Sequence, residues 1–217
     1  MHRLSAGRGT QTKLACGIPS AKLARYISWQ SGVDYDIIGR GSAQGLFDEQ
    51  LDVRDLIRSQ ELTKWVIIST GVFTLFLFER SFGVVHLRQG RNVIMALGGW
   101  DGTASLTGAR DIGAVMAEVV LVSSGEDLDR ESVNRAVYVA GDMISYGGFM
   151  ELVEGITWKK VRRRVRTVAA AKENLIKEPE NGLLKYQVVF GEGKGLAWDA
   201  TETWNCRRGV ELQTAEE

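Results

Sequence analysis

Lys64-Trp-Val-Ile-Ile-Ser69 is apolar on both of its faces, with a polar residue only at each end. A strand covered by helices on both sides reads this way, whereas a half-exposed strand alternates. Upstream, Ala24-Arg-Tyr-Ile-Ser-Trp-Gln30 is a second short strand, rich in aromatic and β-branched residues. Between them, residues 44–60 carry Leu46, Phe47, Leu51, Val53, Leu56 and Ile57 at helical spacing, opposite Asp48, Glu49, Asp52, Arg54, Asp55 and Arg58. Ser42 is placed to cap that helix. Strand, helix and strand at this spacing predict a βαβ unit, two parallel strands joined by a crossover helix.

The flanking chain extends an α/β pattern. Gly32 to Gly45 reads as a loop with glycines at 32, 39, 41 and 45, and Thr12 to Lys22 would suit a helix but for Gly17 and Pro19. Arg91 to Leu97 and Ala136 to Ala140 are further strands. Asp111 to Leu121 is a helix with an acidic residue near its positive end, and Ser145 to Gly155 a helix capped by Ser145. Lys172 to Tyr186 is polar and helical with an interruption at Pro179, and Thr201 to Glu217 reads as a fraying tail.

Composition excludes several function classes. The 217 residues carry 27 basic and 27 acidic side chains, so no global field draws the chain to nucleic acid or an anionic membrane. The longest apolar run, Trp65 to Phe78, contains Ser69, Thr70, Gly71 and Thr74 and falls short of the about 20 residues that cross a bilayer. Neither nucleic acid nor membrane is expected as a partner. Cys16 and Cys206 match no disulfide or zinc spacing and read as unpaired thiols of a cytoplasmic protein, with the nucleus as the alternative. With His2 and His86 as the only histidines, no metal site is expected.

The ligand candidates lie where the central strand ends. Open α/β sheets bind ligands beyond the carboxyl ends of their strands, and Thr70-Gly-Val-Phe73 leaves that end here. Thr70 offers a hydroxyl, Gly71 a close approach to the backbone, and Phe73 and Phe76 apolar walls; a strand end with core aromatics is the alternative. Trp100, in the turn Gly98-Gly-Trp-Asp-Gly102, is a candidate cover over a substrate, and Trp29 and Trp65 suit core or cleft lining. Gly39-Arg-Gly-Ser-Ala-Gln-Gly45 is one residue too long for a dinucleotide fingerprint and follows no strand, so it reads as a flexible or substrate-facing loop. Lys159-Lys-Val-Arg-Arg-Arg-Val-Arg166 holds six basic residues in eight and fits a half-buried edge element whose charges face water, with nuclear localisation or phosphate binding as the alternative.

Several of these stretches match a known family in order. Arg25-Tyr-Ile-Ser-Trp-Gln-Ser-Gly-Val-Asp34, Phe47-Asp-Glu-Gln-Leu-Asp-Val-Arg54 and Trp65-Val-Ile-Ile-Ser-Thr-Gly-Val-Phe73 together resemble the NmrA-like, isoflavone-reductase-like branch of the atypical short-chain dehydrogenases. Thr107-Gly-Ala-Arg-Asp-Ile-Gly113 and Val137-Tyr-Val-Ala-Gly-Asp142 with Ile144-Ser145 are similar to later motifs of the same family, and the likeness covers about residues 10–200. It implies a Rossmann-like parallel sheet for residues 1–90 and a smaller α+β substrate part for residues 91–217, interleaved through the strand near 136–140. It also implies NAD or NADP as cofactor, with Trp29, Gln30, Gln50 and Thr70 to Phe73 on the nicotinamide side. Phe76 and Trp100 would then face a small aromatic or unsaturated substrate.

Two departures shape the expectation. Gln50 stands where the family's reductases carry an acid/base lysine, and a neutral amide cannot exchange a proton but can hydrogen-bond a ribose. No other residue is a clear proton donor; Tyr26 and Tyr35 are the nearest in sequence, so the catalytic group is unassigned. The first 20 residues, MHRLSAGRGTQTKLACGIPS, contain no apolar strand and no G-x-G-x-x-G, so the first βαβ and its phosphate loop are expected to be missing. An oxidoreductase homologue with impaired nucleotide binding and an apolar sheet edge is the leading expectation. A non-catalytic, redox-sensing regulator with a protein partner is the second, and a chain without function of its own the third.

Overall fold

A computed structural model describes residues 9–87, 92–122 and 133–217. The first half runs α1 (Thr10–Ser20), β1 (Arg25–Trp29), α2 (Tyr35–Ile38), α3 (Leu46–Arg58), β2 (Lys64–Thr70), β3 (Val72–Phe73), β4 (Val85–His86), β5 (Val93–Leu97) and β6 (Thr103–Thr107). The second runs α4 (Ala109–Val122), β7 (Arg135–Val139), β8 (Asp142–Ser145), α5 (Tyr146–Thr157), β9 (Arg162–Arg166), α6 (Val168–Lys177), α7 (Gly182–Glu192) and α8 (Trp204–Arg207).

The predicted βαβ unit is present. β1 pairs with β2 in parallel, Tyr26 opposite Trp65 and Trp29 opposite Ile68, and β2 pairs with β7 in parallel on its other side. Every residue of β2 after Lys64 is buried, and its alternating side chains enter two different cores. Val66 and Ile68 meet Val115 and Val119 of α4 and Trp204 of α8. Trp65 and Ile67 meet Val53 and Ile57 of α3 with Ala15 and Ile18 of α1. Helices on both faces explain why the strand lacks alternation.

After Gly71 the same chain continues as β3 and changes partners, from β7 to β6. A Cβ on Gly71 would lie 2.0 Å from the Ser105 carbonyl oxygen of β6, so only glycine fits this crossing. Among the described residues the strands form three three-stranded sheets, the others being β3-β6-β8 and β4-β5-β9. The largest core joins these sheets to α5 and α7 through Leu106, Ile94, Phe149, Met150, Val189 and Phe190. The fold is α/β with a Rossmann-like parallel sheet.

Four local expectations change. α1 runs through Gly17 and Pro19, because the proline falls in the last turn, where one ladder bond is lost, and Ala15 and Ile18 are buried against α3. The Ala21 and Lys22 amides close that end on Gly17 and Pro19. Ser42 does not cap α3; the N-cap is Gly45, which has no side-chain cap, and Gln44 Oε1 accepts from the Leu46 amide just inside the helix. Arg54, assigned to the wet face of α3, is fully buried, while Leu46 is exposed. α3 is covered on two sides, by the core at Phe47 and Leu51 and by α1 at Val53 and Ile57, and Arg54 lies between them.

The last correction concerns the tail, which is docked. Asn205 bonds both backbone groups of Ala140, its Nδ2 donating to the carbonyl at 2.9 Å and its Oδ1 accepting from the amide at 3.2 Å. The Gln213 amide donates to Asp111 and the Ala215 amide to Asp142. Arg91 of the predicted 91–97 strand lies outside the described residues; the strand is β5. Pro179 separates α6 from α7 as expected. Asn205→Ala would orphan two backbone groups and is expected to cost about 2–4 kcal/mol, read as a lower urea midpoint with an unchanged m-value.

Candidate functional site

The carboxyl ends of β1, β2 and β7 meet α3 and the 31–39 loop around one buried cation. Arg54 donates from Nε to Gln30 Oε1 at 2.6 Å, from Nη1 to Asp36 at 2.5 Å and from Nη2 to Ser69 Oγ at 3.2 Å. Asp34 lies 3.7 Å from the same guanidinium, whose carbon is 5.3 Å from the Tyr35 ring centre. Arg58, one turn on, forks onto both oxygens of Asp36. Asp34 caps α2 through the Asp36 and Ile37 amides and accepts from the Tyr138 hydroxyl of β7 at 2.7 Å.

The electrostatics follow from these contacts. The Arg58 hydrogen bond, with Arg54 behind it, holds the Asp36 carboxyl below its usual range. Burial raises the Tyr35 phenol, and burial with the bond to Asp34 raises that of Tyr138. The Tyr35 hydroxyl donates to the Ser31 carbonyl. Both phenols thus donate within the protein, Tyr35 to Ser31 and Tyr138 to Asp34.

The predicted site residues separate into two groups. Gln30 is 1% exposed, and its Nε2 donates to both the carbonyl and the Oε1 of Gln50 at 3.0 Å. Thr70 is buried, its hydroxyl donating to Ser31 Oγ at 2.8 Å. Gly71 has Ser105 where a side chain would stand, and Val72 is in the core. Trp29 pairs through its backbone with Ile68, and its side chain lies outside the described residues. Gln50 is half-buried and Phe73 is exposed.

Phe76 and Trp100 have different ring neighbours. Phe76 packs on Phe82 and Tyr186, whereas Trp100 lies beneath Arg163, its carbonyl accepting from Gly147 of α5. A small apolar cavity is lined by Leu77, Leu106, Ile144, Tyr146, Phe149 and Phe190. The glycine loop at 39–45 is tied down: Arg40 bridges Asp52 and Asp55 at 2.7 Å, and the Gly41 amide donates to Asp48. Cys16 and Cys206 are unpaired and exposed. Among the described residues no group of three or more His, Cys, Asp or Glu could hold a metal, and no helix is long and apolar enough to cross a membrane.

Sequence reading missed Asp34, Asp36, Arg54 and Tyr138. The available signal was the acidic pair Asp34-Tyr-Asp36 facing Arg54 and Arg58, four residues apart on one helix and so on one face.

No family model matches the chain. It is 40% identical over 205 residues to an NmrA-like family domain-containing oxidoreductase of Gibberella moniliformis, an alignment covering 94% of this chain and 64% of that protein. The chain is similar to the NmrA-like family. Solved structures agree on the fold. An isoflavone reductase superposes with a TM-score of 0.74 at 16% identity, over 97% of this chain and 71% of its own. The NADPH-dependent quinone oxidoreductase QOR2 of Escherichia coli, solved with NADPH, gives 0.69 at 18% identity over 98% and 71%. A leucoanthocyanidin reductase of Vitis vinifera gives 0.72 at 13% identity over 98% and 74%.

The amide chain predicts how this site tolerates a lysine. Arg54 holds the Gln30 oxygen, so Gln30 turns its NH₂ toward residue 50. Gln50→Lys alone sets donor against donor and is expected to cost about 1–3 kcal/mol. Adding Gln30→Glu supplies an acceptor, and a double-mutant cycle in urea should show favourable coupling of about 1–3 kcal/mol.

Acid titration tests the Asp36 cluster. Because its folded pKa lies below the ordinary 3.8, its contribution is fully present above that value and is lost as pH falls through the folded one. Arg58→Ala is therefore expected to destabilise at neutral pH by an amount that shrinks at about pH 3, measured by urea unfolding at both.

Proposed function

We propose that this chain supplies the nicotinamide-facing and substrate-facing portion of an NAD(P)-dependent oxidoreductase acting on a small aromatic or unsaturated molecule. The observation that carries the reading is the placement of α3 across the parallel β1–β2 pair, with Gln50 tied to Gln30 at the carboxyl end of β1. Ligands of open α/β sheets bind at such strand ends. The oxidoreductase name of the 40%-identical relative supports it, as does the shared fold with an oxidoreductase solved with NADPH. The chain spans 64% of that relative's length.

The residues divide by task. Gln50 would hydrogen-bond a ribose hydroxyl and Phe73 would wall the ring, while Gln30 and Thr70 hold the frame behind them. Phe76 and Trp100 belong to the substrate side, in a part spanning residues 91–217 that interleaves with residues 1–90 through β7. When bound, the nicotinamide gives or takes a hydride. Gln50 is neutral at every pH, and burial raises the pKa of Tyr35 and Tyr138, so these residues orient rather than transfer protons. Impaired catalysis follows, and the two exposed free thiols suit the cytoplasm.

The glutamine at position 50 also favours a second reading, a non-catalytic regulator that senses nicotinamide redox state and binds a protein partner. In a form carrying a complete phosphate-binding βαβ, NADPH oxidation with a panel of aromatic enones separates the two. Turnover supports the reductase, and tight binding without consumption supports the sensor. The 217 residues expressed as such contain no strand followed by G-x-G-x-x-G. Pyrophosphate contacts of about 1.5–3 kcal/mol each would be lacking. A fluorescence titration should therefore give a dissociation constant for NADPH far above about 1 μM; a value near it would refute this expectation.

A further inference from the structure

The basic run folds into a feature that the nucleotide reading leaves unused. β9 is an edge strand, paired in parallel with β5 on one side and with no strand on the other among the described residues. Lys159, Lys160, Arg162, Arg163 and Arg164 are all exposed, and Trp158 just ahead of them is 93% exposed. Trp158 ends α5 with a left-handed backbone, φ 54°, a conformation uncommon for a bulky residue.

The hydrogen-bonding register shows which backbone groups are open. The Arg162 amide donates to Asn92 and the Arg166 carbonyl accepts from Gly98, so residues 162, 164 and 166 turn their backbones toward β5. Residues 161, 163 and 165 therefore turn theirs outward. Glu154 takes the Val161 amide at 2.7 Å, which leaves the outward groups of Arg163 and Val165 as the start of a strand ladder.

We propose that this outer edge of β9 binds an acidic, extended segment of a partner protein, which joins the sheet as an added strand. Main-chain bonds to an exposed edge give such recognition its affinity and the flanking side chains its specificity. Opposite charges directly across a strand pair attract. The run contains six of the 27 basic residues, so the rest of the chain has 21 basic against 27 acidic residues, a charge of minus six. A large polyanion, such as a nucleic acid or a charged membrane, meets that repulsion. A short peptide confined to the strip lies within a Debye length of about 8 Å and feels mainly the arginines. Trp158 adds an apolar contact at the end of the strip. This inference does not depend on nucleotide binding.

The test uses the whole chain and a fluorescein-labelled synthetic peptide alternating glutamate with valine or isoleucine, read by anisotropy. Binding is expected to weaken at least tenfold in Arg162→Glu/Arg164→Glu. It should weaken at least fivefold in Val165→Pro, which removes an outward N–H without changing charge and is tolerated on an edge strand. Circular dichroism confirms that both variants fold. The same peptide N-methylated at alternate amides should bind at least tenfold more weakly. Equal binding of the N-methylated peptide, or tighter binding of a thymidine oligonucleotide or phosphatidylserine vesicles than of the peptide, overturns the proposal. So does a dissociation constant above about 1 mM for the unmodified peptide.

Discussion

A guanidinium with no exposed surface organises the molecule: Arg54 has to find every partner within the protein. Removing such a charge from water costs several kcal/mol, and the cost is offset only when geometry and hydrogen bonding are both good. Arg54 meets this requirement by drawing together groups from the end of β1, from β2 and from α2. Three pieces of backbone are thereby fixed in one relative position. A hydrophobic residue there could fill the space, but it would not specify the separation of these elements as closely.

The same constraint shapes the candidate site. Gln30 must present its oxygen to Arg54, so its amide faces Gln50; Asp34 must share the cation, so it also holds Tyr138 and starts α2. Polar side chains that look available in a sequence are engaged within this lattice. Among the residues expected on the nicotinamide side, Gln30, Thr70, Gly71 and Val72 are buried, while Gln50 is half-buried and Phe73 exposed.

The parallel pair β1–β2 and the crossover helix were legible because burial on two faces leaves an unmistakable apolar run at residues 64–69. The break at Pro179, the Ser145 cap and the wet edge at 162–166 were legible for equally local reasons. Arg54 was not, since helical periodicity assigns an arginine to water unless the acidic partners in a distant loop are known. The tail was misread because its anchors, Ala140, Asp111 and Asp142, are remote in sequence, and its composition matches that of a loose terminus. Within the site, spacing found the strand ends but could not show which side chains were engaged there.

Two glycines with ordinary backbone angles carry a separate consequence. Gly141 lies so close to the docked tail that a methyl group would sit 2.0 Å from the Gln213 carbonyl, just as Gly71 abuts Ser105. Neither has a positive φ, so local conformation does not require glycine at either position. In a saturation screen both would behave as invariant for want of space alone. Trimming the chain after Leu212 should free residue 141 to vary while leaving residue 71 as restricted as before.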